Sequence, residues 1–219
     1  MFHKFAKSVY FVENASFDYN CMFVVFAEYV MVVEAPSADN ASTKVMAAIR
    51  EVAPGKPIRY IVMTHFHEDH IGGLRAYLRA GATLVTTPGN LQFMDVFMKK
   101  LKATEPNLNL PPIEVINDKR RFTDGNIALD LLTVRSPHAD EMVVPVIGSD
   151  GIVYVADGFT RDLGPWRPVT VEERVLAGEF KRLGLDIRML LPGHGPATTR
   201  EELDRFLSSD RPVSRMQRR

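Results

Sequence analysis

The most constraining feature of the sequence is residues 64–73, which read Thr-His-Phe-His-Glu-Asp-His-Ile-Gly-Gly. This segment places three of the chain's six histidines and an aspartate within six positions. The apolar run from Arg59 to Met63 before it is typical of a strand that is covered on both faces, and helical spacing follows from about Ile71 to Arg79. The fold must therefore accommodate four polar side chains where a buried strand meets a helix.

The spacing of these polar residues suits metal ions. In extended backbone, alternate side chains share a face, so His65 and His67 can approach one ion together. Asp69 and His70 can then turn toward a second ion, and the glycine pair that follows lets the chain bend closely beneath both. Without metal, such a gathering of polar groups at a packed junction would be energetically costly. The segment therefore predicts a metal centre.

Three further polar residues lie far away in the sequence, each at the end of an apolar, strand-like run. They are His138, Asp157 and His194. Taken singly, such a histidine is more often a surface residue, and an aspartate before a glycine is more often a turn residue. Only His3 among the six histidines lies outside these positions and the first segment. The joint pattern favours a site that is assembled from several strand ends.

Strand-like and helical patterns alternate along the chain. The predicted strands cover about 8–12, 21–26, 29–34, 59–63, 83–86, 127–134, 143–147, 152–156 and 187–191. The predicted helices cover about 39–50, 71–79, 90–101, 170–183 and 199–207, with Asp39 as the cap of the first. This alternation predicts a layered α/β fold. We expect one domain over residues 1–207 and a flexible basic tail over 208–219.

Composition narrows the classes of partner. Lys and Arg number 27 and Asp and Glu also number 27, so the chain has no net charge to attract nucleic acid or an acidic membrane surface. Its single cysteine, Cys21, excludes an internal disulfide and lies in an apolar run. No stretch of the sequence is long and apolar enough to span a bilayer. The first residues also lack the basic region and apolar core of a signal peptide. We expect a cytoplasmic protein that acts on a small molecule, unless a leader has been removed, and the sequence leaves a homodimer open.

The motif His65-x-His67-x-Asp69-His70, together with His138, Asp157 and the Pro-Gly-His-Gly around His194, resembles the metallo-β-lactamase fold superfamily. Other segments, such as Val-Glu-Ala-Pro at 33–36, are similar to a broad, poorly characterised branch of it. The resemblance implies a four-layer αββα sandwich with metals at one edge. It also implies that a first ion is held by His65, His67 and His138, a second by Asp69, His70 and His194, and that Asp157 bridges both.

This resemblance implies a binuclear metal-dependent hydrolase. Two zinc ions, or manganese or iron in their place, would lower the pKa of a shared water, and the resulting bridging hydroxide would attack an acyl carbon. Asp69 is the expected proton shuttle to the leaving group. In extended backbone the side chain of Glu68 points to the face opposite the ligands His65 and His67. We expect it either to be solvated or to contact the ligands without binding the metal.

Differences between this chain and the known branches of the superfamily narrow the expected substrate class. β-Lactamases of this fold usually carry Cys or Ser where this chain has Asp157, which favours a small ester, lactone or related acyl substrate. Glyoxalase II enzymes add a C-terminal helical domain for glutathione, whereas 25 residues follow His194 here, so a glutathione thioester is a weaker alternative. The main alternative is a persulfide dioxygenase with one iron on His65, His138 and Asp157. A noncatalytic binding module ranks last, because no ligand is missing.

Aromatic residues near the motifs are candidates for the substrate pocket. We expect contributions from Phe23, Phe159 and Trp166. A further apolar group on the helix at 90–101 either shapes the pocket or belongs to the core, and it comprises Phe93, Met94, Phe97 and Met98.

Overall fold

The computed structural model describes residues 1–159 and 167–209. The strands in these residues are β1 (Phe2–Ala6), β2 (Val9–Ser16), β3 (Tyr19–Val25), β4 (Val30–Val33), β5 (Ile58–Val62), β6 (Thr83–Thr86), β7 (Ile113–Val115), β8 (Lys119–Thr123), β9 (Ala128–Val134), β10 (Met142–Ile147), β11 (Ile152–Val155), β12 (Met189–Pro192) and β13 (Thr198–Thr199). The helices are α1 (Asp39–Val52), α2 (Glu68–Ile71), α3 (Leu74–Arg79), α4 (Leu91–Thr104), α5 (Val171–Arg182) and α6 (Arg200–Ser208).

The strands form two mixed sheets. The first contains β1 to β7 in sequence order and is antiparallel as far as β4 and parallel from β4 to β7. The second has the order β13-β12-β11-β10-β9-β8, and only the β11–β12 pair in it is parallel. Strands β3 and β4 pair as an antiparallel hairpin, and so do β10 and β11.

Apolar side chains from the two sheets meet in a central layer, to which Phe11 of the first sheet and Tyr154 of the second belong. Helices α1, α3 and α4 pack on the outer face of the first sheet, through residues such as Ile49 and Tyr77. Helices α5 and α6 cover the outer face of the second sheet, where Phe206 is buried. The prediction of a four-layer αββα sandwich is confirmed.

Strand β3 illustrates why the central strands are apolar at successive positions. Met22 and Val24 face the layer between the sheets, whereas Cys21 and Phe23 face the helices on the other side. All four side chains are fully buried, because both faces of the strand are covered. Burial also raises the pKa of the Cys21 thiol, which is consistent with a structural cysteine.

The predicted helix 71–79 is wrong in one respect, because the segment forms two short helices, α2 and α3, separated by Gly72 and Gly73. The glycine pair predicted a bend here, and tertiary packing adds a close contact between Gly72 and the backbone of Ser37. A Cβ on Gly72 would lie 2.1 Å from the carbonyl oxygen of Ser37. The prediction that Asp39 caps α1 is also wrong, since Ala38 occupies that position and Asp39 begins the helix.

The last two helices begin one residue after their predicted starts, at Val171 and Arg200. Thr170 and Thr199 each accept a hydrogen bond from the backbone three residues on, in complete capping boxes. Helix α6 ends at Ser208, so most of the predicted tail lies outside the described residues. Among the residues that the structure describes, no helix has both the length and the apolar character needed to cross a bilayer.

The tight contact beneath the ligand segment leads to a stability prediction. Gly72→Ala should lower the free energy of unfolding by about 1–3 kcal/mol, because the added methyl group overlaps the Ser37 carbonyl. Gly178→Ala is the matched control, since a Cβ there has no atom within 4 Å. This exposed helical position should gain up to about 1 kcal/mol. Urea unfolding of both variants measures the difference, and equal stability of Gly72→Ala and wild type would contradict the close approach.

Candidate metal centre

The candidate ligands lie where strands of both sheets end at one edge of the sandwich. The ligand segment 65–70 follows β5 of the first sheet. His138 follows β9, Asp157 follows β11 and His194 follows β12, all in the second sheet. Residues that are far apart in the sequence therefore meet because the carboxyl ends of these strands share an edge.

The structure brings all seven predicted ligands into two adjoining groups. Within each group, one ligand atom from every residue lies within 4.8 Å of the others. The groups are His65, His67, His138 and Asp157, and Asp69, His70, Asp157 and His194. Asp157 belongs to both, in the arrangement that the resemblance implied.

The Asp157 carboxylate lies at the middle of the cluster. Its Oδ2 atom is 2.9 Å from His70 Nε2 and 3.0 Å from His138 Nε2. Its Oδ1 atom is 3.3 Å from His194 Nε2. The Nε2 atom of His70 is buried yet makes no hydrogen bond of good geometry. Side chains whose donor atoms converge in this way, without bonding one another well, fit a divalent cation, and the mixed imidazole and carboxylate set is one that zinc accepts.

The electrostatics favour the metal-binding protonation state for three of the five histidines and for Asp157, whereas neighbouring carboxylates raise the pKa of His70 and His138. Burial lowers the pKa of His65, His67 and His194, so their neutral, metal-binding forms are favoured at neutral pH. Burial alone would raise the pKa of Asp157, but hydrogen bonds from neighbouring histidines hold it well below its usual range. The shared ligand is therefore a carboxylate under ordinary conditions.

Glu34 is a supporting residue that the sequence prediction missed. It follows β4, is fully buried, and contacts His70 Nδ1 through Oε2. Its Oε1 accepts a hydrogen bond from the backbone N–H of Thr64 at 3.2 Å. Burial would lower the pKa of His70, but the charge of Glu34 and the surrounding carboxylates raise it well above its ordinary value. A glutamate within an otherwise apolar run was the signal that could have identified it.

Other contacts on the outer side of the cluster fix the imidazoles. Glu172 in the first turn of α5 places Oε1 3.4 Å from His138 Nδ1. The ring of Tyr19 packs edge-on against His194 at a centroid distance of 4.5 Å. Holding the remote ring nitrogen or ring face in this way orients Nε2 toward the centre. These residues had no distinctive sequence signal, because each is an isolated side chain on a separate element.

Two of the three predicted pocket residues, Phe23 and Phe159, lie away from the metal centre. Phe23 is fully buried and stacks on Tyr10 at 4.9 Å, so it belongs to the core. Phe159 is also buried and lines an apolar cavity between α5 and α6. Trp166 lies outside the described residues. Of the apolar group on α4, Met94 is buried in the core, whereas Phe93 is exposed.

The Glu34 contact predicts a loss of metal affinity on substitution. Glu34→Gln keeps the size of the side chain but removes the charge that orients His70, and should weaken metal binding about 10- to 100-fold. Competition with a chromogenic chelator measures the affinity. Glu68→Gln is the control, because Glu68 is exposed and lies between ligands in the same segment. Equal metal affinity in the two variants would contradict a supporting role for Glu34.

Comparison with curated proteins gives a short match. A segment of 51 residues is 41% identical to a linear primary-alkylsulfatase from Pseudomonas sp. (strain ATCC 19151). The segment amounts to 23% of this chain and to 10% of that protein, so the chain spans only a small part of its relative.

Similar solved structures cover nearly the whole chain. A metallo-beta-lactamase from Pontibacter korlensis matches with a TM-score of 0.67 and 18% identity, over 95% of this chain and 97% of that one. A metallo-beta-lactamase from Hirschia baltica matches with a TM-score of 0.66 and 19% identity, over 98% of this chain and 99% of that one. At identities this low, the structural likeness shows a common fold and nothing about activity.

The family model described as "Metallo-beta-lactamase superfamily" matches residues 17–194, a range that contains every candidate ligand. With the shared sandwich and the cluster at its edge, the sequence match is decisive: the chain belongs to the metallo-beta-lactamase superfamily.

Proposed function

We propose that this protein is a binuclear metal-dependent hydrolase that acts on a small ester, lactone or related acyl substrate. The observation that carries the proposal is the position of Asp157, whose carboxylate is common to two complete ligand groups. His65, His67 and His138 would hold one ion with it, and Asp69, His70 and His194 the other. Zinc is the proposed metal, because five of the seven ligands are imidazoles. Iron also accepts imidazole ligands and is the first alternative, whereas manganese prefers oxygen ligands.

Two divalent cations, when bound, supply a water activated near neutral pH and polarise the substrate oxygen. The chain's own contribution is to orient the reactants and move the proton. Asp69 is suited to the second task, because 37% of its side chain is exposed at the edge of the cluster. The neighbouring His70, whose Nε2 lies 3.4 Å from Asp69 Oδ2, lowers the pKa of Asp69 to about 2. Asp69 is therefore ionised at neutral pH, ready to accept a proton from water and pass it to the leaving group.

A second candidate substrate class is a sulfate ester. The relative with the 51-residue match is a linear primary-alkylsulfatase, and that name motivates a test of alkyl sulfates beside carboxylic esters. The same seven residues would serve both reactions, since each requires an activated water and a stabilised leaving oxygen. Because the match covers only 10% of that relative, it is weak support for its substrate, and an acyl substrate remains the first choice.

Turnover by the loaded protein tests the proposal. We expect zinc-loaded wild type to hydrolyse at least one member of a panel of esters, lactones, thioesters, alkyl sulfates, phosphodiesters and β-lactams. His67→Ala and Asp157→Ala should abolish that turnover, because each removes a ligand. His3→Ala is the matched control, since His3 is half-exposed on β1 and pairs with Glu13. Activity that survives both ligand substitutions would refute the assignment, and oxygen consumption with iron and a glutathione persulfide would favour the dioxygenase alternative.

The proton-shuttle role predicts a separate effect on kcat. Asp69→Asn should lower kcat about 10²- to 10⁴-fold, because the amide cannot accept the proton. Since Asp69 is also a candidate ligand, kcat is compared at equal metal content, established for each sample by elemental analysis. Glu68→Gln, one residue away and exposed, should leave kcat unchanged. An unaltered kcat in fully loaded Asp69→Asn would show that another group transfers the proton.

A further inference from the structure

A stacked pair of phenylalanines, one exposed and one half-buried, lies beside the metal centre. Phe66 lies between the ligands His65 and His67, and Phe93 lies in the first turn of α4. Their rings are parallel, at an interplanar angle of 2° and a centroid distance of 3.7 Å. The ring of Phe66 also meets the ring of His67 edge-on at 4.9 Å. Because 37% of Phe93 is exposed, apolar ring surface is open to solvent next to an imidazole of the site.

The pair forms one wall of a cavity that reaches a metal ligand. The cavity has a volume of about 280 Å³, which is at the small end of the range for ligand pockets. Its lining includes both rings, the ligand His138, and the carboxylates of Asp140 and Glu141. A substrate with its scissile bond over the metal centre could therefore place a single substituent against the rings.

Hydrogen bonds hold both sides of this cavity in place. Ser136 Oγ accepts from the backbone N–H groups of His138 at 3.1 Å and Ala139 at 3.4 Å, which fixes the loop on one side. The carboxylate of Glu141 accepts from the backbone N–H of Gly89 at 2.7 Å. This bond ties that loop to the turn that leads into α4. The cavity is thus formed before any ligand arrives, which reduces the cost of binding.

The charge of the lining indicates what the cavity would accept. Asp140 and Glu141 both contribute to it, and no lysine or arginine is among its described lining residues. Arg135 lines a neighbouring cavity, to which Asp140 and Glu141 also belong, and is not part of the lining beside the two rings. Two carboxylates near an apolar wall disfavour an anionic group and tolerate a neutral or cationic one.

We infer that this cavity is a substrate subsite for an uncharged aromatic group, which stacks on Phe93 while the scissile bond lies over the metal centre. The inference rests on the proposed function and extends it by naming the substituent that the enzyme selects. Phe93 is then a residue that determines specificity and takes no part in the chemical step. If the stacked pair had a purely structural role, Phe93→Ala would lower kcat/KM for all substrates alike.

The test compares kcat/KM for esters that differ in one substituent. Ethyl acetate is the reference, and ethyl phenylacetate and benzyl acetate carry the aromatic group on either side of the scissile bond. Wild type should prefer at least one aromatic ester, and Phe93→Ala should reduce that preference about 10-fold. A ratio between substrates does not depend on the folded or metal-loaded fraction of a sample. Val96→Ala is the control, because Val96 is 53% exposed on the same helix and does not line the cavity.

The charge of the lining is tested with substituted benzyl esters. Wild type should discriminate against 4-carboxybenzyl acetate relative to benzyl acetate, and Asp140→Asn should raise the relative rate of the anionic ester about 2- to 5-fold. The same substitution should lower the relative rate for 4-(aminomethyl)benzyl acetate. Opposite changes for the two charged esters support the subsite, whereas identical changes overturn the electrostatic part of the inference.

Failure of the subsite can be told apart from failure of the proposed function. If zinc-loaded wild type hydrolyses none of these esters, binding of benzyl alcohol is followed by ligand-observed NMR instead, and the proposed function fails only if every member of the wider panel is also left intact. Binding that is lost in Phe93→Ala and kept in Val96→Ala still supports the subsite. Absence of binding, or an aromatic preference that Phe93→Ala leaves unchanged, overturns it.

Discussion

The carboxylate of Asp157 is buried among four imidazoles, and this burial constrains the structure at the edge where the candidate ligands meet. Only 6% of Asp157 is exposed, and the Nε2 atoms of His65, His70, His138 and His194 lie within 2.9–3.3 Å of its oxygens. Burying one anion and several ring nitrogens costs several kcal/mol unless their charges and lone pairs are matched. Two divalent cations would provide that match, and the proposed reaction therefore depends on the same residues that shape this edge of the fold.

Hydrogen bonds between the two sheets hold the strand ends that carry the site in place. Asn20 of the first sheet donates through Nδ2 to the carbonyl oxygens of Pro192 at 3.0 Å and Gly195 at 2.7 Å, on either side of His194. Its own carbonyl accepts from the hydroxyl of Tyr154 at 3.0 Å. Gly193 allows the close approach, because a Cβ there would lie 2.3 Å from the backbone oxygen of Ala156. The positions of His194 and Asp157 are therefore coupled through the backbone.

The sequence was most informative where local spacing carries the chemistry. The ligand segment and the strand ends before His138, Asp157 and His194 could be located from residue pattern alone, because each couples an apolar run to a polar residue. The edge strand β8 was missed, since its sequence Lys-Arg-Arg-Phe-Thr has a largely exposed, polar surface and no apolar alternation. Phe23 was assigned to a pocket because its burial depends on helices that pack on the far side of β3. Glu34 and Glu172 were not recognised as supports, because only tertiary contacts bring them to the histidines.

The most direct test of the central claim is the number of zinc ions that the purified protein binds. Calorimetric titration of metal-free protein, checked by elemental analysis after gel filtration, should give two ions per chain. The same titration of Asp157→Ala should show weakened binding of both ions, because this carboxylate belongs to both ligand groups. A wild-type stoichiometry of one or zero, or an Asp157→Ala protein that still binds two ions with unchanged affinity, would contradict the account.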